Sequence, residues 1–280
     1  MDSSRIAEWL RSFVPTRRRL VVGILVALAL TPALLFVQRS LHASAFLLEE
    51  QLHDWHQKFT VLRPPDSHPL VALIVVDDEL VGRSQGAAEV DRVVLARIVR
   101  TVDALGARVL GIDMTFLTPS TAAADEALVN ALRQARSATV MGFADERSRV
   151  DGQEAEFQST LLARVARPVG FTHIRVDRDG VVRFWASPAD NASVPLSFPA
   201  QLMRAVGTER REPPYPRIDW LGNTLDGGAP FAVIPASHLR EALGQDVRRL
   251  SAAVKDRIVL IGLSTKETRR IRTPLTGADR

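Results

Sequence analysis

The run LVALIVV, residues 70–76, decides the fold. It is apolar at every position, too short for a typical helix and rich in β-branched residues, so it reads as a strand buried on both faces. It stops at the acidic cluster Asp77-Asp78-Glu79. Gly82 to Glu89 reads as a loop, and Asp91 is placed to cap a helix over 92–105. Val93, Val94, Ile98, Val102 and Leu105 form its apolar stripe, and Gly106 ends it. A second apolar run, Val109 to Met114, carries Asp113 near its end. A strand, a helix and a strand in this order predict a parallel pair with a right-handed crossover.

The pattern continues toward the C-terminus. Ser120 or Thr121 caps a helix over 123–136, and Ala138 to Phe143 is a third strand. Asp145 to Gln158 is polar and reads as a surface excursion. Val169–Val176 and Val181–Ser187, separated by Asp177-Arg178-Asp179-Gly180, read as a β-hairpin. A helix over 198–206, a short strand over 217–220, an apolar segment 231–234 leading into a helix over 236–243, and a final buried strand, RIVLIGL at 257–263, complete the series. The expected fold class is α/β: a mixed, mostly parallel sheet flanked by helices, with an inserted β-hairpin and one preceding transmembrane helix.

That preceding helix is LVVGILVALALTPALLFV, residues 20–37, eighteen residues without a charge. At about 1.5 Å per residue it reaches roughly 27 Å, close to the bilayer's apolar thickness. Arg17, Arg18 and Arg19 precede it, so residues 1–19 are expected in the cytoplasm and 41–280 outside it. A cleaved signal peptide, cut after Ala45, and a buried core helix are the other readings. Residues 41–59, with Phe46, Leu47, Leu52, Trp55 and Phe59 at helical spacing, are expected to leave the membrane as a helix and pack on the domain that follows.

Composition narrows the function. The chain has 280 residues, a net charge of +4 and no cysteine, which excludes disulfides, thiol nucleophiles and zinc–thiolate sites. No helix-turn-helix, RNA-recognition or zinc signature supports a nucleic-acid partner, despite the basic ends. No phosphate loop, nucleophile elbow or HExxH pair occurs, and no cofactor is expected. His173, alone on a strand, reads as structural.

Several spaced motifs form an ordered series: Asp54-Trp55, Gly111-Ile112-Asp113-Met114-Thr115-Phe116, Asp125-Glu126-Ala127-Leu128 and Gly170-Phe171-Thr172-His173 come first. Asp179-Gly180-Val181-Val182-Arg183, Pro195-Leu196-Ser197-Phe198, Ile218-Asp219-Trp220-Leu221-Gly222 and Asp256-Arg257-Ile258-Val259-Leu260-Ile261-Gly262 follow. The series resembles the second class of CHASE domains, from about Asp54 to Pro274. That resemblance implies an extracytoplasmic sensory domain of a bacterial signalling protein, without catalysis of its own. It implies a cytoplasmic cyclase or kinase effector, beyond Arg280 in a longer chain or in a partner. The bilayer, a small-molecule or protein signal, and a second copy of the chain are the other expected partners.

The candidate ligand-binding residues are Asp77, Asp78, Asp113, Lys266 and Arg269. If the strands ending at Asp77 and Asp113 are parallel neighbours, their carboxyl ends bring these acids together, where open α/β sheets bind ligands. Lys266 and Arg269 follow the last strand and could hold an anion or pair with the acids. Three readings of the acids stay open: capping and loop hydrogen bonds, a sensed small ligand, and a magnesium or calcium site. The last would make the chain a membrane-tethered metal-dependent hydrolase built on Asp77, Asp78 and Asp113.

Overall fold

The computed structural model describes Val21, Ile24, Val26, Leu28 and residues 30–32, then residues 49–76, 80–84, 87–208, 217–241, 245–264 and 271–276. The chain forms two compact units, Met1–Phe59 and Thr60–Arg280. In the first, the described residues of the apolar run are helical, but most of that run lies outside the described set. Among the described residues no helix is long and apolar enough to cross a membrane. A helix over 49–60 (α1) follows. Its Leu52, Trp55 and Phe59 are exposed, and Trp55 and Phe59 pack edge to face on each other with centroids 5.5 Å apart.

The second unit is built on six strands. In chain order they are β1 (Val71–Val76), β4 (Val109–Asp113), β5 (Ala138–Phe143), β6 (Val169–Phe171), β7 (Ala232–Pro235) and β8 (Ile258–Leu263). They lie in the order β6-β5-β4-β8-β1-β7, and every pairing is parallel. The segment expected as a loop holds a separate antiparallel pair, β2 (Val81–Ser84) and β3 (Ala87–Val90).

Handedness accounts for where the helices go. The connections β1 to β4, β4 to β5, β5 to β6 and β7 to β8 all step across the sheet in one direction. Right-handed crossovers then place their helices on one face. These are α2 (Arg92–Ala104), α3 (Ala122–Gln134), α4 (Gly152–Val165), α6 (Ala236–Glu241) and α7 (Gln245–Val254). Leu95, Leu128, Leu161, Leu239 and Leu250 from these five helices meet Ala72, Ile74, Leu110, Ile112 and Ile261 of the sheet in one core. Only the step from β6 to β7 runs backward, and its helix α5 (Phe198–Val206) lies on the other face. There Phe198 and Leu202 meet Val109 and Val140.

Local chemistry sets the helix ends. Asp91 accepts from the Val93 and Val94 N–H groups at 2.8 and 3.3 Å, and Gly106 takes φ +84° beyond α2. Thr121 caps α3, accepting from Ala124 N–H at 3.2 Å. Asp151 and Glu154 form a reciprocal capping box at 2.8 and 2.9 Å. This box starts α4 within the stretch expected to be a surface excursion. In it Gln158 is buried, and its amide pairs with both the N–H and the C=O of Ala144, at 2.9 and 3.0 Å. The stripe of α2 is also rotated from expectation: Leu95, Ala96, Ile98, Val99 and Val102 are buried and Val93 is exposed.

Arg92, at 2 % exposure, ties three helices together. Its guanidinium donates to Asp125 of α3 and to Thr118 O. It also sits over the rings of Phe116 and Phe157, at 5.5 and 5.3 Å.

The expected hairpin does not form. Val169–Phe171 joins the main sheet beside β5, because its remaining backbone groups are taken elsewhere: Phe171 N–H donates to Leu196 O at 3.1 Å and Thr172 N–H to Phe143 O at 3.0 Å. The turn at Asp177–Gly180 is present, with Gly180 at φ +82°. Val181 and Phe184, however, bridge to Arg272 and Arg217 instead of to residues 169–176. Arg217 is likewise an isolated bridge, not the start of a strand over 217–220.

Two glycines allow α5 to lie directly on the sheet. A Cβ on Gly170 would stand 2.5 Å from Phe198 Cα and 2.8 Å from Ser197 O. A Cβ on Gly111 would stand 2.8–3.0 Å from Leu260, Leu202 and Phe198 side-chain atoms. Gly170→Ala is expected to cost about 2–4 kcal/mol in urea unfolding, because the blocking atoms are backbone. Gly152→Ala, where a Cβ meets nothing within 4 Å, is the control and should change stability by less than about 0.5 kcal/mol. Asp125→Ala strands the buried Arg92 charge, and the same measurement should show a loss of about 3–5 kcal/mol.

Candidate functional site

One sheet level defines the site. Gly142 pairs with Gly170, and Asp113 and Val75 each pair with Gly262. Extending the β4–β5 register by one residue sets Asp113 opposite Gly142. The carboxyl end of the sheet therefore presents Gly170, Gly142, Asp113, Gly262 and Val75 in a row on the face that carries α5. Asp113 is the one charged side chain in that row and has a glycine on each side. Above Gly262 a Cβ would meet nothing within 4 Å.

Over Asp113 lies a cavity of about 380 Å³. It sits where adjacent connections part: β5 leads to a helix on one face and β6 to a helix on the other. That is the switch point at which open α/β sheets bind ligands. Its walls are mainly apolar: the rings of Phe171, Phe184, Trp185, Phe198 and Trp220 alternate with aliphatic side chains such as Ile174, Val182 and Ile218. Thr172, His173, Ser197 and Thr273 supply the remaining polar side chains.

Ion pairs and backbone bonds hold these walls. Arg183, at 2 % exposure, is gripped by Asp177 at 3.1 Å and by both oxygens of Asp179 at 2.9 and 2.6 Å. This pairing holds the Asp179 pKa below its ordinary value, against the opposing effect of burial. Val182 N–H donates to Arg272 O at 2.9 Å, and Ile218 N–H to Arg183 O at 2.8 Å. Beneath Phe171, Arg147 lies 5.1 Å from the ring centroid, pairs with Asp145 and donates to Ser187 O at 2.7 Å. Burial opposes ionisation of Asp145, but the Arg147 hydrogen bonds and charge outweigh it, and the pKa is lowered. Ser197 caps α5, accepting from Ala200 N–H at 3.2 Å.

Asp113 differs from these acids. Among the described residues no hydrogen bond or ion pair reaches its carboxyl. The side chain is solvent-accessible at the cavity, yet the surrounding protein desolvates it and raises its pKa. His173 shifts the other way from its ordinary value. Burial first, then the nearby Arg147 charge, disfavour its cation, with Asp145 opposing, so it is neutral at pH 7. Trp220 adds a buried indole N–H that meets no acceptor among the described residues.

Of the sequence-predicted site residues, the cavity contains Asp113. Asp77, Asp78, Lys266 and Arg269 lie outside the described residues. The condition that β1 and β4 be neighbours is corrected: β8 runs between them, which separates their ends by two strand spacings, about 9.5 Å. Among the described residues no group of three His, Asp or Glu side chains could hold a metal ion.

The CHASE2 domain family model matches residues 24–278. The chain belongs to the CHASE2 family. CHASE2 domains are extracytoplasmic sensory domains. Comparison with curated proteins and with solved structures gives no match. The spaced motifs behind the resemblance have a geometric meaning in this CHASE2 chain. Asp113, the Phe171–His173 segment, Val182, Ser197-Phe198 and Ile218/Trp220 come from five of them and converge on the one cavity. Sequence reasoning missed the aromatic walls, although each ring lies in or beside one of those motifs.

The Asp113 shift predicts a pH dependence. A carboxyl whose folded pKa is raised binds its proton more tightly folded than unfolded. Its contribution is most favourable below the unfolded value and is lost as pH rises through the folded one. Asp113→Asn removes this loss. Urea unfolding across pH 4–8 should find the variant at least as stable as the parent at pH 7, with its advantage shrinking toward pH 4.

Proposed function

We propose that this CHASE2 chain is a membrane-anchored receptor domain. Residues 1–19 stay in the cytoplasm, the run 20–37 crosses the inner membrane, and the domain over 41–280 stands in the periplasm. There it binds a small signal in the cavity over Asp113 and biases a cytoplasmic cyclase or kinase. The observation that carries this reading is the cavity itself: it occupies the switch point of a parallel sheet and gathers the family motifs on its walls. Its size falls within the usual range for small-molecule sites, about 300–1,000 Å³.

A route for the signal supports the reading. Trp220 lines the cavity, and its neighbour Leu221 bridges to Leu62, two residues beyond the end of α1. Gly222 N–H donates to Leu62 O at 3.0 Å, and a Cβ on Gly222 would stand 3.3 Å from both Val61 methyls. A ligand that favours one position of the Trp220 segment thereby favours one position of the chain leaving α1. Such a shift requires different affinities for the two states.

Topology tests this reading first. Alkaline phosphatase fused after Arg280 and expressed in a Gram-negative host should be active and remain in the membrane fraction. Activity released into the soluble periplasm would overturn the anchor. An expressed but inactive fusion would overturn the periplasmic placement.

A further inference from the structure

Resting on the reading of this cavity as the sensing site, we propose that its ligand is a small organic cation: an ammonium group on an aromatic or aliphatic body. Three observations support this. Among the described residues the charge lining the cavity is negative: Asp113 is the one acidic side chain, no described lysine or arginine lines the space, and burial and the Arg147 charge disfavour the His173 cation. The carboxylate has no partner among the described residues, so an arriving cation meets an acceptor whose hydration is already partly stripped. Five of the wall side chains are Phe or Trp rings among aliphatic neighbours, and two of the five are tryptophan, the side chain that best attracts a cation through its face.

The protein already uses such contacts beside the cavity. Arg175 and Arg217 each lie 4.8 Å from the Phe184 centroid, and Arg147 lies 5.1 Å from that of Phe171. None of these arginines lines the cavity. Arg147 is paired with Asp145 and Arg175 with Asp177, at 3.6 Å for the latter. Their charge is thus partly spent behind the walls. The volume equals that of about a dozen waters at about 30 Å³ each, which sets the scale of the ligand.

The test uses three probes that share one body and differ in charge: 2-phenylethylamine, 2-phenylethanol and 3-phenylpropionate. Each is titrated calorimetrically at pH 7 into the full chain in lipid nanodiscs, with empty discs as the blank. The amine should bind at least tenfold more tightly than the alcohol or the acid. Asp113→Asn should abolish that preference and leave the alcohol's affinity within about twofold, with an unchanged circular dichroism spectrum. Ala186→Trp, which fills the cavity from a lining position, should abolish amine binding.

Equal or tighter binding of the alcohol or the acid would overturn the cation assignment and leave the cavity a sensing site. Amine binding that survives Asp113→Asn would overturn it as well. Amine binding that survives Ala186→Trp in a folded variant would place the amine elsewhere and overturn it. No binding of any probe to the folded parent would overturn it too, while the topology result, which reads no ligand, would stand.

Discussion

The close approach of α5 to the sheet is the constraint on which the other features depend. A helix normally rests on a sheet through two layers of side chains. Here the first turn of α5 meets the backbone of β6 at Gly170, and its apolar face meets the hollow over Gly111. This brings Ser197, Phe198 and Pro199 down to the level at which β4 ends in Asp113. Larger residues at the two glycines would lift the helix and break the contacts of Phe198 and Leu202 with Val109 and Val140. They would also change the cavity wall, since Phe198 serves both. The packing of this face and the shape of the site are therefore one problem.

The strand order explains why such a site exists. Five helices share one face because four connections step the same way across the sheet, and that face carries the large core. The single backward step leaves α5 alone on the other face. The segments that complete the cavity, around residues 171–186, 217–220 and 271–273, are irregular chain held by isolated bridges and by the Arg183 and Arg147 clamps. A loosely laddered wall anchored at a few buried ion pairs can move more readily than a sheet edge. That is the property a sensing domain requires of the side that meets its ligand.

Much of this was legible in the sequence. The strands β1, β4, β5 and β8, the caps Asp91 and Thr121, and the full extent of α5 follow from continuous apolar runs bounded by caps and glycines. These features are local. What failed was pairing, which is not local. Val169–Val176 and Val181–Ser187 carry hairpin chemistry, and the turn between them forms, but the first segment finds a better partner in β5 and the second in Arg217 and Arg272. The acids that follow β1 and end β4 would meet only if the two strands were neighbours, as successive strands often are. The last strand of the chain slips between them, and nothing near residues 77 or 113 encodes that. Of the site, Asp113 was readable as an acid at a strand end. Its aromatic surroundings come from segments about 60 to 110 residues away and become a set only when folded.

The treatment of charge sets Asp113 apart. Arg92, Asp125, Asp145 and Arg183 are buried, and each is paired with an opposite charge. Taking a charge out of water is costly unless a partner replaces the lost hydration, and these four residues obey that rule. At Asp113 the fold instead surrounds a carboxyl with two glycines and a ring-lined space, and leaves it without a donor among the described residues. Stability alone would favour asparagine here, or an arginine at Gly262, where a Cβ would meet nothing within 4 Å. A partly desolvated carboxyl that no protein donor meets among the described residues, and that water still reaches, is open to the charge of a ligand. It also places occupancy beside the proposed relay: a cation that pairs with Asp113 replaces its lost hydration, and Trp220 of the same cavity is one residue from Leu221, which bridges to Leu62.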